Sequence, residues 1–152
     1  MEFIEFLNRS EIEIINMVEQ AGYKTTENRK ICLLNKNYAG FLNKRTKEII
    51  ICTNNAMKRE GYTLLRKQNE DIFERTALHI KKALRHEAVH VAQECNDGNI
   101  LEIDSKISIN PAKINALNGS IKISGEEEKE RQAYILEDKP RLIKNELRRY
   151  CL

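Results

Sequence analysis

The chain has no excess of charge of either sign: 26 lysines and arginines stand against 23 aspartates and glutamates, a net +3 over 152 residues. A balance that close implies neither nucleic acid nor an anionic membrane as partner. Long apolar runs are also missing. The start, MEFIEFLNRSEIEI, interleaves apolar residues with glutamates, so it offers neither the basic segment and unbroken apolar core of a secretory signal nor a transmembrane span. No repeat or low-complexity linker subdivides the chain, and residues 1–152 are expected to form a single domain. The four cysteines, Cys32, Cys52, Cys95 and Cys151, include no C-x-x-C pair, which excludes a zinc ribbon and a thioredoxin-type redox motif. The resulting expectation is a cytoplasmic protein with four free thiols, Cys95 being buried on the apolar side of a helix.

What is present reads as α+β. Ser10 and Glu13 form a capping-box pattern ahead of Ile14, Ile15 and Val18, with a stop at Gly22. Three short apolar runs follow, KICLLN, YAGFL and KEIIICT, the last two separated by the polar NKRT. They predict a small antiparallel sheet with a hairpin. Asn69 to Asn96 then keep helical periodicity without glycine or proline and stop at NDGN, where Gly98 suits a left-handed cap. Residues 99–124 are mixed, with ILEI and SIKIS as possible strands and NPAKINALNG as a loop or broken turn. Ser124 and Glu127 resemble a second capping box opening a helix over GEEEKERQAYILED. Asp138 and Pro140 look like the cap and first position of a last helix carrying Leu142, Ile143, Leu147 and Tyr150.

The long helix contains the stretch that carries chemistry. Two of the three histidines, His86 and His90, are four residues apart around Glu87 in RHEAVHVAQEC. Residues at that spacing lie one above the other, with about 6 Å between their Cβ atoms, so two imidazoles can converge on one ion. Glu87 is turned by about 100° from His86, which places a carboxylate beside an open coordination position as a base for water. Ala77, Ile80, Leu84, Ala88, Val91 and Cys95 occupy one arc of the helix, and the histidines project from roughly the opposite side. His79, seven residues before His86, is about 10 Å away along the axis. That distance assigns it to the surface or the rim of a cleft. Catalytic zinc sites take three protein ligands and keep one position for water. No histidine follows His90, which excludes the extended metzincin motif. The third ligand is therefore sought among the carboxylates of EEEKERQAYILED.

Here the sequence resembles the zincin metallopeptidases of the gluzincin type, in which H-E-x-x-H is followed on a later helix by a ligand glutamate in an E-x-x-A context. The matching residues are Glu130, Arg131, Gln132 and Ala133, and Gln93 adds a glutamine common three residues beyond the second histidine of small members. The resemblance covers mainly residues 70–137. It implies a minimal zincin-like fold, zinc as the cofactor, and His86, His90 and Glu130 as its ligands. Ala133, close to the same helical side as Glu130, would let the two helices approach, while Glu126 and Glu127 in the first turn remain second choices. Tyr134 stands where related families often hold an aspartate that orients a ligand histidine. It is considered as a catalytic hydrogen-bond donor to an oxyanion, or as a packed tyrosine.

The function expected from this pattern is hydrolysis of peptide bonds in a peptide or protein substrate, with Glu87 as general base and the strand KEIIICT pairing with the substrate. The alternative from another class is a non-catalytic, zinc-stabilised regulatory domain that holds a peptide or partner. A nucleic-acid-associated role would rest on the cationic last helix alone, and neither nucleic acid nor membrane is expected as a partner.

Overall fold

A computed structural model describes residues 1–63, 69–104 and 106–152. After a 3-10 turn at Glu2–Phe6 come α1 (Arg9–Gln20), β1 (Lys24–Glu27), α2 (Ile31–Leu34), β2 (Gly40–Asn43), β3 (Glu48–Ile51) and α3 (Thr53–Glu60). The long α4 (Glu70–Cys95) follows, then a 3-10 turn at Pro111–Lys113, α5 (Ile114–Ser124), α6 (Glu127–Leu136) and α7 (Pro140–Cys151). The protein is thus α+β, with a small sheet ahead of a long helix and further helices behind it.

The sheet is mixed. β2 and β3 form the expected antiparallel hairpin, Gly40 opposite Ile51 and Asn43 opposite Glu48. β1 adds to the far side of β3 in parallel, Lys24 opposite Glu48 and Glu27 opposite Ile51. The strand order β1-β3-β2 puts β3 in the middle with both edges occupied, so KEIIICT cannot pair with a substrate, and β2 is the edge beside α4. Its apolar run explains the position: Ile49, Ile50 and Ile51 are all buried, as a central strand covered on both faces requires.

Other local expectations are revised by context. KICLLN holds the short helix α2 instead of a strand, with Cys32 buried but Leu33 85% and Leu34 77% exposed. SIKIS ends α5, a helix that buries only Leu117. ILEI forms no strand: Leu101 is buried, and its N–H and carbonyl are both satisfied by the Gln132 side chain, at 2.9 and 2.7 Å. Ser105, within that mixed stretch, lies outside the described residues. At α1 the cap is Asn8, whose N–H donates to Glu11 at 3.2 Å, leaving Glu13 to pair with Arg9 and Lys144. Helix α6 is capped by Glu126 because Ser124 still belongs to α5, and α7 by Lys139 with Pro140 at its first turn.

At about 1.5 Å per residue, the 26 residues of α4 form the axis of the molecule. Helices α1, α3, α6 and α7 and the β2 and β3 strands pack around it. Ala77, Ile80, Leu84, Ala88 and Val91 are buried as their spacing predicts. Arg85 makes the deepest polar contact. Its guanidinium donates to Glu11 at 3.1 and 3.3 Å and to the Glu137 carbonyl at 3.3 Å, while Glu11 is wholly buried. Removing either charge strands the other in the interior, at a cost of about 3–5 kcal/mol.

The cysteines are all paired, contrary to the expected free thiols: Cys32 with Cys52 and Cys95 with Cys151. The Cα atoms of each pair are 5.5 and 5.2 Å apart, within bridging distance. The partners are 20 and 56 residues apart in sequence, so only the tertiary fold brings them together. Among the described residues no helix is long and apolar enough to cross a membrane.

Candidate metal centre

Helical spacing on α4 stacks His86 and His90 with ring centroids 5.0 Å apart, and α6 crosses so that Glu130 inserts between them. Glu130 Oε1 lies 2.9 Å from His90 Nε2, and Oε2 lies 3.3 Å from His86 Nε2. One ligand atom from each of the three residues falls within 4.8 Å of the others. Ala133, wholly buried, is the small residue that lets α6 sit this close to α4. The competing carboxylates are elsewhere: Glu126 contacts Lys129 at 3.0 Å and Lys44 at 3.6 Å, and Glu127 contacts Arg131 at 3.1 Å.

Each histidine is held from behind by its other nitrogen. His86 Nδ1 lies 3.1 Å from Glu137 Oε2 and His90 Nδ1 lies 2.8 Å from Gln93 Oε1. With Nδ1–H donating to these acceptors, both Nε2 atoms are turned toward the common point. Such backing contacts orient ligand rings in metal sites and raise their basicity. Both acceptors are themselves anchored. Gln93 donates to the Lys129 carbonyl and to Gln132 Oε1, each at 3.1 Å, and Gln132 is tied to Leu101. Lys113 Nζ approaches Glu137 Oε1 at 3.0 Å, donates to the Tyr134 carbonyl at 2.8 Å and pairs with Asp138.

The charges follow from this packing. Burial works against charge on His86, but its hydrogen bonds to Glu130 and Glu137 outweigh that and hold the imidazole up to about 10. Burial likewise opposes charge on Glu130, and hydrogen bonds from His86 and His90 hold the carboxyl well below the usual carboxylate range. In that state the His86 ring donates from both nitrogens, so a cation taken up at Nε2 displaces a proton.

Glu87 is buried against β2, and its carboxyl is pushed up by burial; the two histidines oppose that shift, while Glu130 and Glu137 add to it. The approach of β2 depends on Gly40. A Cβ at that position would stand 3.2 Å from Glu87 Cγ and 3.4 Å from Ala83 Cβ, too close without displacement.

Tyr134 presents its ring edge to His86, centroids 4.5 Å apart. Its hydroxyl donates to the Ala116 carbonyl at 3.2 Å and shares a 2.6 Å hydrogen bond with Ser120 Oγ. Burial raises it to about 12. The ring thus packs on His86 while the hydroxyl is engaged by α5 beside the cavity. His79 is half-buried at a cleft rim, 3.9 Å from Glu60, as its spacing predicts, and burial lowers its imidazole.

Glu137, Gln132, Lys113 and Gly40 are site residues that sequence reasoning passed over. Glu137 had a signal: it is seven residues beyond Glu130, two turns on, and so on the same face of α6. Lys113 and Gly40 had none, because their roles arise from contacts between elements distant in sequence.

The site opens on two cavities of about 610 and 620 Å³, which share Tyr38, Gly40, His86, Glu87 and Ser120 as lining residues. Fold and site together define an α+β protein with a largely buried His-His-Glu cluster that could hold a metal ion. Residues 3–152 match the family described as a domain of unknown function, DUF8637, and the chain belongs to that family. No curated protein and no solved structure matches it.

Proposed function

We propose that this protein is a zinc-dependent metallopeptidase in which His86, His90 and Glu130 hold the metal and Glu87 is the general base. The observation that carries the proposal is the convergence of two imidazole nitrogens from α4 and a carboxylate from α6, with a buried glutamate one residue from the first histidine. Two imidazole nitrogens, once His86 Nε2 has given up its proton, and one carboxylate oxygen are a donor set suited to zinc in a hydrolytic site. When bound there, zinc supplies a Lewis acid that polarises a carbonyl and makes water more acidic.

The chain's own residues do the remainder. Glu87 takes a proton from water as the water oxygen adds to the peptide carbon. It then returns that proton to the departing amine nitrogen as the C–N bond breaks. Glu137 and Gln93 keep the two imidazoles aimed throughout.

Strand β2 supplies a place for an extended substrate. The bond from Cys52 N to Ala39 O, 2.9 Å, marks that opposed pair as hydrogen-bonded. Alternation then makes Phe41 and Ile50 the next such pair. The main-chain groups of Gly40 and Leu42 therefore point away from β3, and both residues line a cavity. A peptide can add to that edge through its own backbone.

The two disulfides support an oxidising compartment over the cytoplasmic setting expected from sequence.

The test of the mechanism is Glu87→Gln, which keeps shape and removes the base. Zinc content is expected to stay stoichiometric while peptide hydrolysis falls by roughly 100-fold or more. Hydrolysis at the wild-type rate would contradict the role given to Glu87.

A further inference from the structure

The two cavities share five lining residues, including His86 and Glu87, so they are halves of one trough with the cluster at its middle. A site that trims chain ends needs a wall, or a charge to meet a terminus, close to the reacting bond. Here the trough continues past the cluster in both directions, for about 610 Å³ on one side and about 620 Å³ on the other.

The halves differ in charge. Among the described residues the half toward α3 is lined by the cations Arg59, Arg75 and Lys82 and by the carboxylates Glu60, Glu87 and Glu137. Glu60 contacts Arg75 at 3.5 Å and Lys82 contacts Asp138 at 3.6 Å. Arg59 is exposed and has no carboxylate within ion-pair distance among the described residues. Among the described residues lining the other half, Lys44 is the one lysine or arginine, held by Glu94 at 2.9 Å and Glu126 at 3.6 Å; the carboxylates Glu87, Glu126 and Glu130 line it beside the apolar Phe41, Leu42 and Ile123.

We infer that the trough takes an internal stretch of an extended polypeptide, with acidic side chains on the α3 side of the cleaved bond and apolar ones on the other. The inference rests on the peptidase proposal and adds its substrate class. Register follows from α4. Lys82 and Arg75 are four and eleven residues before His86, which places them about 6 and 16 Å from it along the axis. An extended chain advances about 3.3 Å per residue, so the acidic residues belong about two to five positions from the cut.

The experiment uses the zinc-loaded full chain and peptide mixtures prepared both with free ends and with both ends blocked, with products identified by mass spectrometry. Internal cuts are expected, with aspartate or glutamate enriched at those positions on one side. A glutamate peptide should exceed its lysine-matched counterpart by about tenfold in kcat/KM. That ratio should collapse near 1 M salt, where the screening length is about 3 Å. The double charge reversal Arg59→Glu with Arg75→Glu should invert the ratio; the salt series on the wild-type chain needs no variant to fold. Cuts confined to residues beside a free terminus, or a ratio unmoved by salt and charge reversal, overturn the inference and leave the peptidase proposal standing. Absence of hydrolysis of any peptide by zinc-loaded wild type overturns both.

Discussion

At the residue scale the cluster is organised by what stands behind it. Glu137 holds His86 at Nδ1 and is itself held by Lys113, so one carboxylate sets both the aim and the basicity of the His86 ring. Glu137→Ala is therefore expected to weaken zinc binding by about 10- to 100-fold, measured by competition with a chromophoric chelator. An affinity equal to wild type would show that the ring needs no such support. The place of Tyr134 is instructive here. The zincin resemblance would put an orienting aspartate at that position; in this chain the carboxylate behind His86 is Glu137, three residues further on.

At the element scale the account depends on α4 being clamped from several sides, by α6 through the cluster, by α1 through Arg85 and Glu11, and by α7 through Cys95 and Cys151. The last clamp begins five residues beyond His90. In the chain-entropy picture, cross-links closing 20 and 56 residues are each worth about 3–4 kcal/mol. Reduction is expected to lower the denaturation midpoint clearly, and Cys151→Ser alone to lose most of the share belonging to the longer loop. A midpoint unaffected by reductant would mean that the pairs do not form.

What could be read beforehand follows the same division. Helix α4 with His86, Glu87 and His90 was legible because one helix fixes the mutual positions of its own side chains. Glu130 was legible through the E-x-x-A resemblance, with the small Ala133 as supporting reason, and it is the carboxylate that meets the two imidazoles. The parallel partner β1, written KTTE, has too little apolar character to announce a strand and is recruited by β3. SIKIS alternates like a strand, but it closes the helix α5 instead. The disulfides depend wholly on topology.

At the scale of the whole molecule, a sheet edge and the His86-His90-Glu130 cluster border the same pair of adjoining cavities. Each has a separate physical origin, in the central position of β3, the spacing on α4 and the separation of β2 from α5. Their adjacency gives the peptidase proposal its coherence, and the metal is the common requirement. The most direct measurement is anomalous diffraction at the zinc edge from crystals of metal-replete protein, together with elemental analysis. The account predicts one zinc per chain, with His86 Nε2, His90 Nε2 and a Glu130 oxygen at about 2.0–2.2 Å. A chain that takes up no zinc, or a zinc peak bound away from those three atoms, would contradict it.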